Sequence, residues 1–207
     1  HISPEMVGNE RIFLLSEVAG RSAVLNMINS VDPTISKSSP ETKAILERLK
    51  ELEFEGYQYE GAEGSFELVI RKALGRYRSF FELKEFKVIV NEPSIEGINS
   101  TAMIKIRVDG LDEITAAEGD GPVNALDNAL RKALERFYPQ IKRIKLTDFK
   151  VRVLDSNSAT AAKVRVLIES SDGKEVWTTI GVSTDVIDAS WKALVDSIEY
   201  KLLKDVV

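Results

Sequence analysis

The sequence predicts an α+β fold in which a small, mostly helical subdomain is followed by a duplicated βββα unit. Three observations carry that reading. Apolar residues recur at helical spacing up to about residue 76 and alternate from about residue 80 onward. The order strand, strand, hairpin turn, strand, helix then occurs twice, over about 80–139 and 145–205. The letters Lys105-Ile106-Arg107-Val108 in the first copy also have a counterpart in Lys163-Val164-Arg165-Val166 in the second. Residues 1–76 are thus expected to form one subdomain and residues 77–207 the other.

In the first part, a short apolar strand is expected over Ile12, Phe13, Leu14 and Leu15. Gly20-Arg21-Ser22 then leads into an apolar helix through Ala23, Val24, Leu25 and Ile28. Ser38-Ser39-Pro40-Glu41 is a strong helix start. Either serine can accept the free first-turn N–H groups, proline fits the first turn, and Glu41 favours the positive end of the dipole. Ile45, Leu46, Leu49 and Leu52 follow on one face. Gly56 to Gly61 reads as a loop or short extended segment, and a third helix is expected over 66–74, with Gly75 as its stop.

In the second part, residues 86–90, 103–108 and 113–117 alternate as strands, with Asp109-Gly110 as a tight turn between the last two. A helix is expected over 122–137, closed by Tyr138-Pro139. The second copy places strands at 149–154, 161–167 and 176–180, a turn at Ser171-Asp172-Gly173 and a helix at 186–203. The segment Ser156-Asn157-Ser158-Ala159-Thr160 reads as a solvated loop, and Lys142, Arg143 and Lys145 as a solvated basic connection. Sheets with helices on one face leave another face or an edge to be covered. The apolar helix faces (Leu126, Leu130, Ala133, Leu134 and Leu194, Ile198, Leu202) also need a partner surface. The two repeats can pack on each other and a second chain can extend the arrangement, so a homodimer is expected.

Composition removes several function classes. The net charge of −5 argues against a nucleic-acid binder. No apolar run approaches the ~20 residues of a membrane-spanning helix, and no charged segment with an apolar core opens the chain as a secretory signal would. The absence of cysteine removes disulfide and thiol chemistry and fits a reducing, cytoplasmic setting. The only histidine is His1. No nucleophile stands beside a plausible base, and no phosphate-loop or zinc motif occurs. No catalytic residue, metal site or cofactor is therefore expected within these residues. The opening His1-Ile2-Ser3-Pro4 lacks an initiator methionine, which reads as a processed terminus or as a piece of a longer polypeptide.

The most informative stretch is Ala116-Ala117-Glu118-Gly119-Asp120-Gly121-Pro122-Val123-Asn124-Ala125-Leu126. A strand ends, two glycines make a sharp turn that permits close approach and positive φ, and proline opens a helix. The free N–H groups at that helix start favour a carboxylate or phosphate. Glu118 and Asp120 repel a phosphate but can hold an ammonium, so the mixture suits a zwitterion. A plain strand-to-helix turn with dipole-capping acids explains the same letters. The second copy has Ser183, Thr184, Asp185 and Val186 at the equivalent turn. They are ordinary N-cap residues, but in a duplicated unit they make a second candidate ligand-facing edge. Trp177 and Trp191 read as packing residues.

The segment 115–130, from Thr115 through the glycine turn to Leu130, resembles the characteristic stretch of the C-terminal regulatory domain of 2-isopropylmalate and citramalate synthases. Val7-Gly8-Asn9-Glu10-Arg11 and Ser16-Glu17-Val18-Ala19-Gly20-Arg21-Ser22 resemble the linker after their catalytic barrel. Segments 145–154 and 197–205 look closest to the citramalate-synthase branch. The resemblance implies an acyltransferase that condenses acetyl-CoA with pyruvate, or with 2-oxoisovalerate in the isopropylmalate branch. Its divalent metal and its catalytic groups would lie in a barrel that matches nothing here. It further implies a dimerising domain that senses an end-product branched-chain amino acid: isoleucine, or leucine in the alternative branch. A third alternative is a dimerisation module with no effector. Carried onto these residues, the resemblance places the effector between Gly119, Asp120, Gly121, Pro122 and Asn124 and the matching turn Ser183, Thr184, Asp185 and Val186. Leu146, Val151, Val153 and Ala161 are the expected apolar surroundings.

Overall fold

The computed structural model describes residues 20–95, 97–154 and 161–206. The strand expected over Ile12 to Leu15 and the loop at 156–160 lie outside them. Three helices come first: α1 (Gly20–Val31), α2 (Pro40–Glu55) and α3 (Glu63–Ala73). The α2 start forms as its letters dictate, with the Ser39 hydroxyl accepting the Thr42 N–H and Ile45, Leu49 and Leu52 buried. Gly56, in the left-handed region at φ 112°, ends it. Helix α3 begins three residues before the expected start. Gly64 and Ser65 carry no apolar signal, yet both are buried by packing on a strand far along the chain.

The remainder is two copies of one unit. The first holds β1 (Glu82–Ile95), β2 (Ile98–Val108), β3 (Leu111–Gly119) and α4 (Pro122–Leu134); the second holds β4 (Lys145–Val153), β5 (Val164–Ser171), β6 (Val176–Ser183) and α5 (Val186–Val206). Each set of strands makes its own antiparallel sheet, ordered β1-β2-β3 and β4-β5-β6. At the β2–β3 turn Asp109 and Gly110 take φ 48° and 83°, the two left-handed positions a type I′ hairpin demands. Helix α4 stops at Leu134, short of residue 137, because the Phe137 and Tyr138 N–H groups both turn back to the Leu134 carbonyl. Among the described residues no helix is long and apolar enough to cross a membrane.

The duplication runs to fine detail, but in a different register from the matching letters. The Thr115 hydroxyl donates to the Ala129 carbonyl at 2.9 Å, and Thr179 does the same to Ala193 at 2.7 Å. Thr115 faces Ile104 across the sheet as Thr179 faces Ile168. Both first strands bulge at the same place, between Leu83 and Glu85 and between Leu146 and Asp148. True counterparts in β2–α4 and β5–α5 are thus 64 residues apart, whereas Lys105 and Lys163 are 58 apart. The four-letter match is a coincidence of strand composition.

Packing follows the period-two pattern. Ile104, Ile106 and Val108 are buried beneath α4, while Lys105 and Arg107 on the other face pair with Asp112 at 3.4 and 2.6 Å. The apolar faces of α4 and α5 meet Val166, Ile168 and Trp177 in one core that spans both repeats. A second core joins α1, α2 and α3 to Ile180 of β6. Helix α3 also covers the free edge of β6: the Thr178 N–H is taken by Glu63 Oε1 at 3.1 Å and the Ile180 N–H by Ser65 Oγ at 2.9 Å.

Candidate functional site

The glycine turn joins β3 to α4, and each of its two glycines has a distinct role. A Cβ on Gly119 would lie 2.4 Å from the Ala125 nitrogen, so only glycine lets the first turn of α4 sit this close to the strand end. Gly121 faces open space in extended backbone at φ −163°. Neither takes the positive φ that the letters suggested; close approach explains Gly119, and open space beside the helix start distinguishes Gly121. Asparagines fix the turn: Asn124 Oδ1 accepts the Asp120 N–H, Asn99 donates to the Asp120 carbonyl and Asn128 to that of Glu118. Gly121 is the N-cap of α4 and makes no side-chain cap bond, and Pro122 occupies the first turn.

In front of this turn lies a cleft of about 660 Å³ between the helix of the first repeat and the first strand of the second. Gly121, Pro122, Val123 and Asn124 form its helix-start rim; Ile144, Leu146 and Phe149 form the apolar wall opposite, with Lys145 beside them. Asp127 and Arg131 line the same space one turn apart on α4. Arg131 Nε donates to both Asp127 oxygens at 2.9 and 2.8 Å, and Nη1 reaches the Ile144 carbonyl at 2.6 Å. Such a cleft, apolar on one side with one ion pair and the free N–H groups of a helix start, suits a small amphipathic zwitterion.

Of the residues expected around a ligand, Gly121, Pro122, Asn124 and Leu146 come together here. Gly119 and Asp120 stand directly behind the rim, in the turn itself. Val151 and Val153 lie further along β4, exposed and outside the cleft lining, and Ala161 is exposed as well. Ser183, Thr184, Asp185 and Val186 sit at the start of α5, away from this cleft. There Ser183 Oγ accepts the Asp185 N–H at 3.2 Å and Asp185 Oδ1 accepts that of Ile187 at 2.7 Å, so the turn caps its own helix. Burial alone would raise the neighbouring Asp188 carboxyl. The Lys192 ammonium at 2.8 Å and the Ser183 hydroxyl outweigh it and hold that carboxyl below the usual range.

Asp127, Arg131, Ile144 and Phe149 escaped the sequence reading. Asp127 and Arg131 carry the spacing of an ordinary helix-surface pair, and only the docking of β4 against α4 turns that face into a wall. A second cavity, of about 510 Å³, lies between α5 and the α2–α3 region and holds none of the expected residues. Asp196, on its lining, has its carboxyl raised by burial, with the Lys72 ammonium at 3.5 Å and the Ser65 hydroxyl acting against that. Among the described residues no group of three potential metal ligands gathers. These residues therefore do not fit the divalent metal that the resemblance implies for the catalytic barrel.

Residues 60–202 match the model of the LeuA allosteric (dimerisation) domain. The chain belongs to this family. As a LeuA allosteric domain it begins its match just ahead of α3, the helix that seals the β6 edge, and ends near the close of α5. Its curated relatives include an (R)-citramalate synthase of Geobacter sulfurreducens, 52% identical over 206 residues. Those of Aquifex aeolicus and Synechocystis sp. are each 47% identical. The match covers 99% of this chain and 39% of the Geobacter and Aquifex proteins, and 98% and 38% for Synechocystis. The chain thus spans about two fifths of the length of the curated relatives it matches.

Proposed function

We propose that this LeuA allosteric domain is the regulatory part of a citramalate synthase-like acyltransferase and binds isoleucine, an end-product branched-chain amino acid, for feedback inhibition. The observation that carries the reading is the α4–β4 cleft in front of the glycine turn. Free N–H groups at the start of α4 suit the carboxylate, Asp127 suits the ammonium, and Val123, Leu146 and Phe149 suit a branched aliphatic side chain. The similarity to (R)-citramalate synthases, taken with the family resemblance of the glycine-turn segment, favours pyruvate and acetyl-CoA as the parent enzyme's substrates, in a cytoplasmic biosynthetic setting. The effector acts by favouring one arrangement of this domain and its own catalytic barrel over another, a coupling typically worth ~1–3 kcal/mol.

The domain works as a homodimer in this reading. Its family is described as a dimerisation domain, and Phe149, Val151 and Val153 leave an apolar stretch of β4 exposed. Calorimetric titration of the dimer with isoleucine, leucine and valine tests the effector. Heat with isoleucine and weaker heat with the others is the expected result, and preference for leucine would assign it to the isopropylmalate branch. Silence with all three, together with a stable dimer, leaves a dimerisation module without an effector. The same exposed stretch of β4 favours that second reading.

A further inference from the structure

The cavity of about 510 Å³ opens where distant parts of the chain meet: α2 with the turn after it, α3, and the first half of α5. It shares no lining residue with the α4–β4 cleft. Its floor is apolar and aromatic. Leu52, Tyr59, Ile180 and Trp191 are each at most 7% exposed. The Tyr57 and Tyr59 rings lie nearly parallel, with centroids 6.0 Å apart and planes 15° apart. Their spacing of two residues puts both rings on one side of the segment that follows Gly56.

The rim is basic. Arg48 comes from α2, Lys72 from α3 and Lys192 from α5, whereas Asp196 is the single carboxylate among the lining residues. In a chain of net charge −5 this is a local reversal of sign. Each cation has a partner, but none of these pairs uses it up. Arg48 meets Glu51 at 2.9 Å and Glu55 at 4.0 Å through Nη1 alone, out of the five N–H donors of a guanidinium. Lys192 meets Asp188 at 2.8 Å and the Val182 carbonyl at 3.1 Å, out of the three donors of an ammonium. Lys72 stands 3.5 Å from Asp196 and 4.7 Å from the centre of the Tyr77 ring. Half-exposed pairs of this kind contribute little to stability, so the cations can turn to an incoming anion. Asp196 is itself met by Lys72 and by the Ser65 hydroxyl at 2.7 Å, which offsets the one negative group in the wall.

An apolar floor with a few charged groups at its mouth is the make-up of a small-molecule pocket. The ligand that satisfies both halves is flat, apolar and negative at one end. A free amino acid suits it poorly, because three cations repel its ammonium. We infer that this cavity is a second ligand site, for a planar aromatic carboxylate whose ring lies on Tyr57, Tyr59 and Trp191 and whose carboxylate meets Arg48, Lys72 and Lys192. Its walls come from the helical subdomain and from the second repeat, so occupancy fastens one to the other. The inference stands apart from the effector reading above.

The test is titration calorimetry and amide NMR on the 207-residue chain and its variants R48Q/K192Q and Y57L. The probes are 2-naphthylacetate, 2-(2-naphthyl)ethylamine, which keeps the rings and reverses the charge, and the pair phenylacetate and cyclohexylacetate. Thermal melts verify that each variant is folded. The parent chain is expected to bind 2-naphthylacetate at least roughly 10-fold more tightly than the amine. It should favour phenylacetate over cyclohexylacetate by roughly 3-fold, the contribution of ring stacking. R48Q/K192Q removes only half-exposed side chains and should weaken 2-naphthylacetate by roughly 10-fold. Y57L should erase the preference for the aromatic ring; if it does not fold, the double variant decides alone. Amide shifts should gather at residues 57–59, 69–73 and 191–196, and saturating isoleucine should leave them in place. No binding of 2-naphthylacetate, equal binding of the amine, or unchanged affinity in R48Q/K192Q overturns the inference. Shifts centred on residues 121–131, or displacement by isoleucine, overturn it as well. A chain that binds 2-naphthylacetate here and no branched-chain amino acid sinks the effector reading and leaves this one standing.

Discussion

The Ser65 hydroxyl lies 2.7 Å from an Asp196 carboxylate oxygen and, through the same oxygen, accepts the Ile180 N–H at 2.9 Å. One side chain on α3 thus ties together α5 and the edge of β6.

Replacing Ser65 by alanine should therefore cost more than one exposed hydrogen bond. It leaves a buried N–H and a partly buried carboxylate without that partner, a loss of about 2 kcal/mol. At this chain length that lowers the melting temperature by about 4–8 °C. Differential scanning calorimetry reads it, and a change below about 1 °C would show that the seam between α3 and β6 bears little of the stability.

Opposite pH dependences are expected of the carboxyls packed on α5. Burial raises the Asp196 and Glu199 carboxyls, with hydrogen bonds from Ser65, Tyr77 and Ser79 acting against it. Their stabilising contribution is complete below the unfolded values of 3.8 and 4.5 and is lost as pH rises through the higher folded ones. Asp172 is the reverse. The Lys201 ammonium and the Glu175 and Lys174 N–H groups hold it well below 3.8, so its contribution is present above that value and disappears as pH falls. Urea unfolding from about pH 7 down to about pH 2 should show a D172N variant less sensitive on the acid side, below 3.8, and a D196N variant flattened toward neutrality. Parallel curves for both variants and the parent would contradict this assignment.

Two glycines should respond very differently to alanine. A Cβ at Gly181 would lie 1.9 Å from the Ala189 carbonyl oxygen, a backbone atom that cannot step aside without moving α5. G181A should cost about 3 kcal/mol or more. G121A meets open space in extended backbone and should cost no more than about 1 kcal/mol, the penalty of alanine at an N-cap. Equal losses in denaturant titrations would refute the close packing of α5 on β6.

The dimer reading makes β4 the strand to disturb. Val151 and Val153 are 45% and 54% exposed on the first strand of the second sheet, on the side shared with Val166 and Val164. Lysine at both positions should move the species seen by light scattering toward the 23.1 kDa monomer. A dimer that persists unchanged would place the interface elsewhere.

Much of this architecture was legible in the letters because it rests on local signals. The Ser39-Pro40-Glu41 start, the Asp109-Gly110 hairpin and the alternation of Ile104 and Ile106 with Lys105 and Arg107 each act within a few residues. The glycine turn was legible as a place, and four of the expected residues line its cleft. What stayed hidden depends on long-range docking. The buried first turn of α3 is polar and is defined by β6, more than 100 residues away. Asp127 and Arg131 become a pocket wall only where β4 arrives, and the register of the repeat shows in hydrogen bonds and bulges while the matching letters point six residues astray.

The cover that α3 places over β6 has a consequence for any shortened form of the chain. Among the described residues β1, β3 and β4 are already edge strands with no further strand paired outside them. Cutting the chain after residue 76 would strip Glu63 and Ser65 from the rim of the second sheet and expose Ile180 with it. One molecule would then carry an uncovered β6 edge beside those edges, each a template for a further strand. Head-to-tail contacts between two different edges form open chains unless their rotation closes a ring. A trimmed chain should therefore be more prone to strand-edge aggregation, so the helical subdomain serves as a stopper for the β6 edge.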